Sequence, residues 1–382
     1  MKKVITFFIL SLTLAMGDQI NVSNSGSDTN GDGSSANPFK TIQYAIEHTN
    51  TSVGDTVLVQ PGTYIENINL GWKNIVVGSL TLTTGDKSYV SQTIIDGGSP
   101  SNSDNASVVT FIGGSAKLVG FTLQNGNGLL KWGNRYGGGI YTEKSNPGLK
   151  HLIIKNNADS TGVTYVYGAG IYFGKKSDAI LDSSEISNNG ETNIGYGGGI
   201  FIQSGADVTS DGVLIKNNKA KFGGGIYLPE KFDGGANPVF RRAEIISNEA
   251  FHGGGIWAGG KWNWLKMYNS KVANNIATGN GGGFYIFRYT NKIELYDILI
   301  TGNSAVTKGG GIYVFDAKPR IERSLFEGNA SKNGGAIYVE GHHAELNLIN
   351  GVLYNNTATD RGSAIFSYSR PTLNIYHTTI SN

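Results

Sequence analysis

The sequence predicts an all-β fold: a single-stranded right-handed parallel β-helix (solenoid) with an N-terminal helical cap. Two periodic signatures and the shortness of the segments between them predict it. The first signature is Gly223-Gly224-Gly225-Ile226-Tyr227, which recurs in nine near-copies beginning at Gly137, Gly168, Gly197, Gly223, Gly253, Gly281, Gly309, Gly334 and Gly362. Successive third positions lie 31, 29, 26, 30, 28, 28, 25 and 28 residues apart, a period that marks a repeat architecture. The second signature pairs an apolar residue with Asn three places later: Ile154 and Asn157, Ile186 and Asn189, Ile215 and Asn218, Ile245 and Asn248, Val272 and Asn275, Ile300 and Asn303, Phe326 and Asn329, Leu353 and Asn356.

Within a repeat the apolar residues alternate. Ile226 and Leu228, Ile312 and Val314, and Ile337 and Val339 have the period of a strand, as do Leu265-x-Met267 and Ile293-x-Leu295. A unit of roughly 28 residues with two or three such strands cannot bury its own apolar face, so the units must stack, each coil about 4.8 Å above the last. Asn suits a sharp left-handed corner and can bond along a stacked ladder, whereas the glycines allow a second tight corner and close backbone approach.

Composition bounds the function. The 382 residues include 56 Gly and 8 Pro, the charged fraction is 16%, and the formal net charge is +2. A nucleic-acid partner or an anionic membrane surface is not expected from that balance. Cysteine is absent, so stability has to come from coil stacking without disulfides.

In chain order, residues 1–17 read as a secretory signal peptide. Met1-Lys2-Lys3 is followed by the apolar run Val4 to Ala15 and the small-x-small site Ala15-Met16-Gly17. That apolar run is too short to span a bilayer, so no transmembrane segment is expected. Residues 18–70 are assigned to the cap and first coils, with Phe39, Ile42, Ala45 and Ile46 on one face of a short helix. Residues 71–382 form the repeats. Counting from Ile380, the next ladder Asn falls one residue beyond Asn382, so the expectation is a coil cut short and a longer parent protein.

Pro38-Phe39-Lys40-Thr41-Ile42-Gln43 and Gly54-Asp55-Thr56-Val57-Leu58-Val59-Gln60-Pro61-Gly62-Thr63-Tyr64 closely resemble the opening of secreted bacterial pectate-lyase-like β-helix proteins. The paired glycine and asparagine columns are similar to the repeats of polymorphic outer-membrane proteins. The resemblance covers about residues 20 to 382 and implies export, surface display and adhesion. Family members end in a membrane β-barrel, which this sequence lacks.

The enzyme alternative is a polysaccharide lyase or hydrolase acting on acidic glycans. The Asn-Thr-Asp, Asp-Asp, Gly-His-Gly and Arg-Ile-Lys strings of β-helix polygalacturonases do not occur. Lyases of the resembled fold use Arg or Lys as base. The column six places before each ladder Asn (His151, Ser183, Gly212, Arg242, Asn269, Asp297, Arg323 and Asn350) offers Arg242, Asp297 and Arg323 as catalytic candidates. Asp28, Asn30 and Asp32 make the first half of a calcium loop, but Phe39 occupies its twelfth position. No cofactor is required by this reading; Ca2+ is the candidate one.

The most distinctive side chains are the aromatics after each inward Ile: Tyr141, Tyr172, Phe201, Tyr227, Trp257, Tyr285, Tyr313, Tyr338 and Phe366. Strand phase points them outward, where rings stack and can also meet sugars. Tyr227, Trp257, Trp262, Trp264 and Tyr285 are the ligand-binding candidates, alongside the loops 230–237 and 259–264. The reading is a monomeric, secreted or cell-surface binding or adhesion module that recognises a polysaccharide or a cell-surface partner, with a structural spacer as the third possibility.

Overall fold

The computed structural model describes residues 17–48, 50–158, 162–192, 194–230, 235–260, 263–288 and 292–381. The expected signal peptide lies almost wholly outside them. The chain forms a right-handed parallel β-helix of about 11 turns. Strands of successive coils pair into a 13-stranded sheet S1 from Gln19–Val22 to Thr372–Tyr376, and a 12-stranded sheet S2 from Gly62–Ile65 to Thr379–Ser381. An 11-stranded sheet S3 runs from Ile68–Asn69 to Ile365–Tyr368, and a 6-stranded sheet S4 from Lys219–Phe222 to Thr357–Arg361. A full coil therefore carries four short strands: Ile226–Leu228 in S3, Val239–Arg241 in S1, Glu244–Ile246 in S2 and Glu249–His252 in S4. The sequence suggested two or three, because the fourth is a brief strand with only one fully buried residue, Ala250.

The interior follows the period of the sequence. Ile226, Leu228, Phe240, Ile245, Leu265, Met267, Ile293 and Leu295 are fully buried in one cluster. The ladder asparagines lie at its margin, buried as well. Each side-chain amide spans the coils: Asn218 donates to Asn248 Oδ1 at 3.1 Å and to the Ile186 carbonyl at 2.9 Å. Its own Oδ1 accepts from the backbone and side-chain nitrogens of Asn189 at 3.0 and 2.9 Å. The left-handed residue of that corner is not the ladder Asn but the one before it, for example Asn217 at φ 54°, Ser247 at 55° and Gly302 at 61°. One residue makes the turn and the next supplies the ladder.

The glycine corner divides its work in the same way. The first glycine of each motif is left-handed, as at Gly223 with φ 63°. Where the second and third positions are glycine a Cβ would be crowded, and at Gly224 it would stand 2.5 Å from the Gly254 carbonyl oxygen, whereas other copies carry Ala169, Ala336, Ser363 and Ala364 there. At the N-terminal end the strand Gln19–Val22 already pairs with Thr56–Val59, so coiling begins before the recognisable repeats. Helix α1, Ile42–Glu47, buries Ile42, Ala45 and Ile46 beside the first strands, and the Thr41 side chain caps it. Among the described residues no helix is long and apolar enough to cross a membrane.

Candidate functional site

The outward aromatics of S3 do face away from the interior, as their phase requires, and form a second cluster distinct from the first. They are nonetheless covered. Tyr227, Trp257 and Tyr285, in register on successive coils, are only 8%, 6% and 8% exposed. Trp257 lies between the other two rings at centroid distances of 4.5 and 6.0 Å. Its ring faces are thus already occupied, which corrects the expectation of an open aromatic platform at these three residues. Trp264 sits apart in the loop entering S1, with the Lys266 and Lys292 ammonium groups 4.0 and 4.4 Å from its centroid. Trp262 lies outside the described residues, as do residues 231–234 and 261 of the two loops.

What covers the ladder on one side is a second aromatic column, from the residues immediately before the glycine motif. Tyr136, Tyr167 and Tyr196 stack at 4.9 and 5.2 Å with interplanar angles of 11° and 7°, and Phe222 and His252 continue the column. Each tyrosine meets a ladder ring of the following coil edge-on: Tyr136 with Tyr172 at 5.1 Å, Tyr167 with Phe201 at 5.4 Å, and Tyr196 with Tyr227 at 5.1 Å. The glycine corner folds the chain back so sharply that the column before it meets the ladder rings of the next coil edge-on, and the two columns form a trough.

That trough is a cleft of about 690 Å³, within the range of small-ligand sites. The two aromatic columns make its floor and one wall. The opposite wall is Lys175, Gln203, Ser204, Pro229 and Glu230, from the loops leaving S3. Trp132 lines it as well. Gln203 accepts a hydrogen bond from the Tyr172 hydroxyl, and the Pro229 carbonyl accepts one from Asn263 at 2.7 Å, so this wall is tied down. Burial raises the tyrosine pKa values, that of Tyr167 to about 12, which keeps these phenols protonated and able to donate. Among the described residues, no hydrogen-bond partner holds the Tyr167 or Tyr196 hydroxyl. Of the sequence candidates, Tyr227 and Glu230 of the loop 230–237 line this cleft; Tyr136, Tyr167, Tyr196 and Trp132 were missed, although an aromatic precedes Gly137, Gly168, Gly197 and Gly223 in the sequence.

The column carrying the lyase candidates is a left-handed corner between S1 and S2. His151, Ser183, Gly212, Arg242, Asn269, Asp297, Arg323 and Asn350 have φ between 47° and 64°, so the mixed polarity reflects exposed turn residues. Arg323 grips Asp297 through Nε and Nη2, both at 2.8 Å. The Arg323 bond holds the Asp297 carboxyl below its usual range and raises the guanidinium further. Arg242 is bound instead to Asp211, and the structure does not join it to the Asp297–Arg323 pair. It reveals acids on neighbouring coils that the sequence reading overlooked: Asp178 pairs in register with Asp207, and Asp182 with Asp211. Asp211 Oδ1 is buried without a partner.

The half calcium loop is otherwise employed. Asp28 accepts from the Lys40 and Thr41 backbone at 2.8 and 3.0 Å and from the Thr41 hydroxyl, Asp32 accepts from Ser34, and the Asn30 backbone donates to Ser27. Among the described residues no group of three or more His, Asp or Glu is placed to hold a metal.

The sequence matches the right-handed beta helix region family over residues 87–269 and the Chlamydia polymorphic membrane protein repeat over residues 297–314 and 323–340. No curated protein matches it. Solved structures with a similar course include pectate lyase Pel9A, with a TM-score of 0.47 and 15% identity over 94% of this chain and 80% of that one. The A-module of the Azotobacter vinelandii mannuronan C-5 epimerase AlgE6 gives 0.45 and 12%, over 89% and 91%. The GH136 lacto-N-biosidase from Eubacterium ramulus gives 0.38 and 12%, over 96% and 67%. Likenesses this low transfer no activity.

Proposed function

We propose that this right-handed β-helix with polymorphic-membrane-protein-like repeats is a secreted or surface-exposed binding module of the adhesion type. It holds glycan in the cleft between its two aromatic columns. The observation that carries the reading is the pair of phenol hydroxyls, Tyr167 and Tyr196, without a hydrogen-bond partner among the described residues and set on stacked rings 5.2 Å apart in a cleft of about 690 Å³. Aromatic edges with hydroxyl donors suit a ligand that is apolar on its ring carbons and polar at its rim. The spacing is close to the advance of an extended glycan per sugar. Among the described residues lining the cleft, protonated tyrosines and the single carboxylate of Glu230 do not make the pair of carboxylates that glycoside hydrolysis uses.

The test is direct binding of acidic and neutral polysaccharides, with and without calcium, while reducing ends and unsaturated products are recorded. Binding without turnover is expected. The double variant Tyr167→Phe/Tyr196→Phe should bind about fivefold to thirtyfold more weakly, at about 1 kcal/mol per lost neutral hydrogen bond. Turnover abolished by Asp211→Asn or Arg242→Ala would replace this reading with a polysaccharide-acting enzyme on S1. Neither binding nor turnover would leave a spacer.

A further inference from the structure

We propose that Trp132 is the sugar-stacking residue of the cleft and that the ligand it selects is an extended, uncharged polysaccharide lying along the β-helix axis, an inference that rests on the cleft reading above. In both aromatic columns the rings stack upon one another, so their faces are spent within the protein. A pyranose presents a patch of C–H groups that packs on a ring face, a contact that adds to what the edges and hydroxyls of the columns offer. Trp132 is different: it is 88% exposed and lines the cleft.

Its backbone is unusual too. Trp132-Gly133 is the two-residue turn of the hairpin formed by Gly128–Lys131 and Asn134–Tyr136, with φ 51° and 72° at the two turn residues. Such a turn favours Asn-Gly or Gly-Gly, and a bulky side chain in the left-handed region is disfavoured. An exposed indole at a disfavoured position gains nothing for the fold, and strain of this kind gathers at ligand clamps. The hairpin is firmly based. Lys131, next to the tip, bonds the Tyr141 hydroxyl at 2.8 Å and Glu143 at 3.1 Å, and Leu129 belongs to the aromatic cluster. The indole therefore lines the cleft from the tip of a hairpin whose base is tied to the aromatic cluster.

Charge decides the ligand class. Among the described residues, and apart from the protonated tyrosines, the ionisable groups lining the cleft are Lys175 and Glu230, which balance. A polyuronate carries a carboxylate on every sugar and would need a row of cations. A neutral chain needs hydroxyl partners repeated along the axis, which the phenol column supplies once per coil.

Binding of glucose, mannose and xylose β-1,4-linked hexasaccharides and of hexagalacturonate would be measured by calorimetry for the whole chain, Trp132→Ala and Trp132→Phe. At least one neutral hexasaccharide should bind more tightly than hexagalacturonate. Trp132→Ala should lower that affinity about tenfold or more and Trp132→Phe by less, with unfolding midpoints unchanged for an exposed side chain. Undiminished binding by Trp132→Ala together with loss in Tyr167→Phe/Tyr196→Phe would overturn the clamp and leave the cleft standing. Preference for hexagalacturonate would overturn the ligand class alone, and no binding of any probe would overturn both readings.

Discussion

The two ends of the aromatic face are built on the same motif and differ in what flanks it. Over the coils of Tyr141 to Tyr227, the column before the glycine corner is Tyr136, Tyr167, Tyr196 and Phe222, and the column two places after the ladder ring includes Gly174, Gln203 and Pro229. A tall wall beside a low one leaves the cleft. Over the coils of Tyr285 to Tyr338 the first column turns polar, with Asn280, Lys308 and Asn333, and the second fills with Phe287 and Phe315, stacked at 5.5 Å. Lys308 closes that end by bonding Glu340 at 2.6 Å, and Tyr313 bonds the same carboxylate at 2.9 Å. The repeat specifies the rod, and its flanking positions decide where the rod is open.

If the difference is confined to the outer face, the interior corners should respond alike. Asn218 underlies the open half and Asn303 the closed one, and each makes the same four ladder bonds. Substituting either by Ala strands buried donors and acceptors above and below. The expected loss is about 3 kcal/mol for each in urea unfolding. A discrepancy of more than about 1.5 kcal/mol between them would show that the halves differ within the core as well.

The outer face should be convertible. Gln203→Phe gives the open half the bulky second column of the closed half and costs the bond from the Tyr172 hydroxyl. Glycan binding should fall more than about tenfold while stability changes by about 1 kcal/mol or less. Binding at the level of the unaltered chain would place the ligand elsewhere.

The coil, its Gly and Asn columns and the strand phase were legible because each rests on a local rule repeated many times. Ile226 had to face inward and Tyr227 outward once the period was two. Burial of Tyr227 was not legible, since phase states which face a side chain takes and not what lies over it. The covering Tyr196 is brought there by the left-handed turn at Gly197. The corner at Asn217-Asn218 misled for a related reason: two adjacent asparagines split the dihedral and the ladder roles, and the sequence alone assigned both to the second. Arg242, Asp297 and Arg323 share a column that is also a left-handed corner, and the sequence did not show the corner. Trp132 lies in an insertion outside the period, where no repeated pattern pointed to it.

His252 marks the border between the halves and gives the smallest expected effect. It is the last aromatic of the flanking column, against Phe222 at 5.9 Å and Tyr285 at 4.9 Å, and its Nδ1 accepts the Asn280 backbone N–H at 3.0 Å. Burial pushes its pKa down from 6.5 to about 4. The unfolded chain titrates near 6.5, so between about 6.5 and about 4 the unfolded state binds a proton that the folded state refuses. The contribution of the neutral ring is therefore full above about 6.5 and lost as the pH falls toward about 4. For a half-buried ring, solvent screening reduces this to about 1–2 kcal/mol. His252→Phe would extend the Phe222 column and leave the Asn280 N–H unpaired at every pH, which shifts the whole stability curve without tilting it. Urea midpoints followed from about pH 7 to about pH 4 should decline more steeply in the unaltered chain than in His252→Phe, and parallel declines would remove His252 as a titrating part of the border.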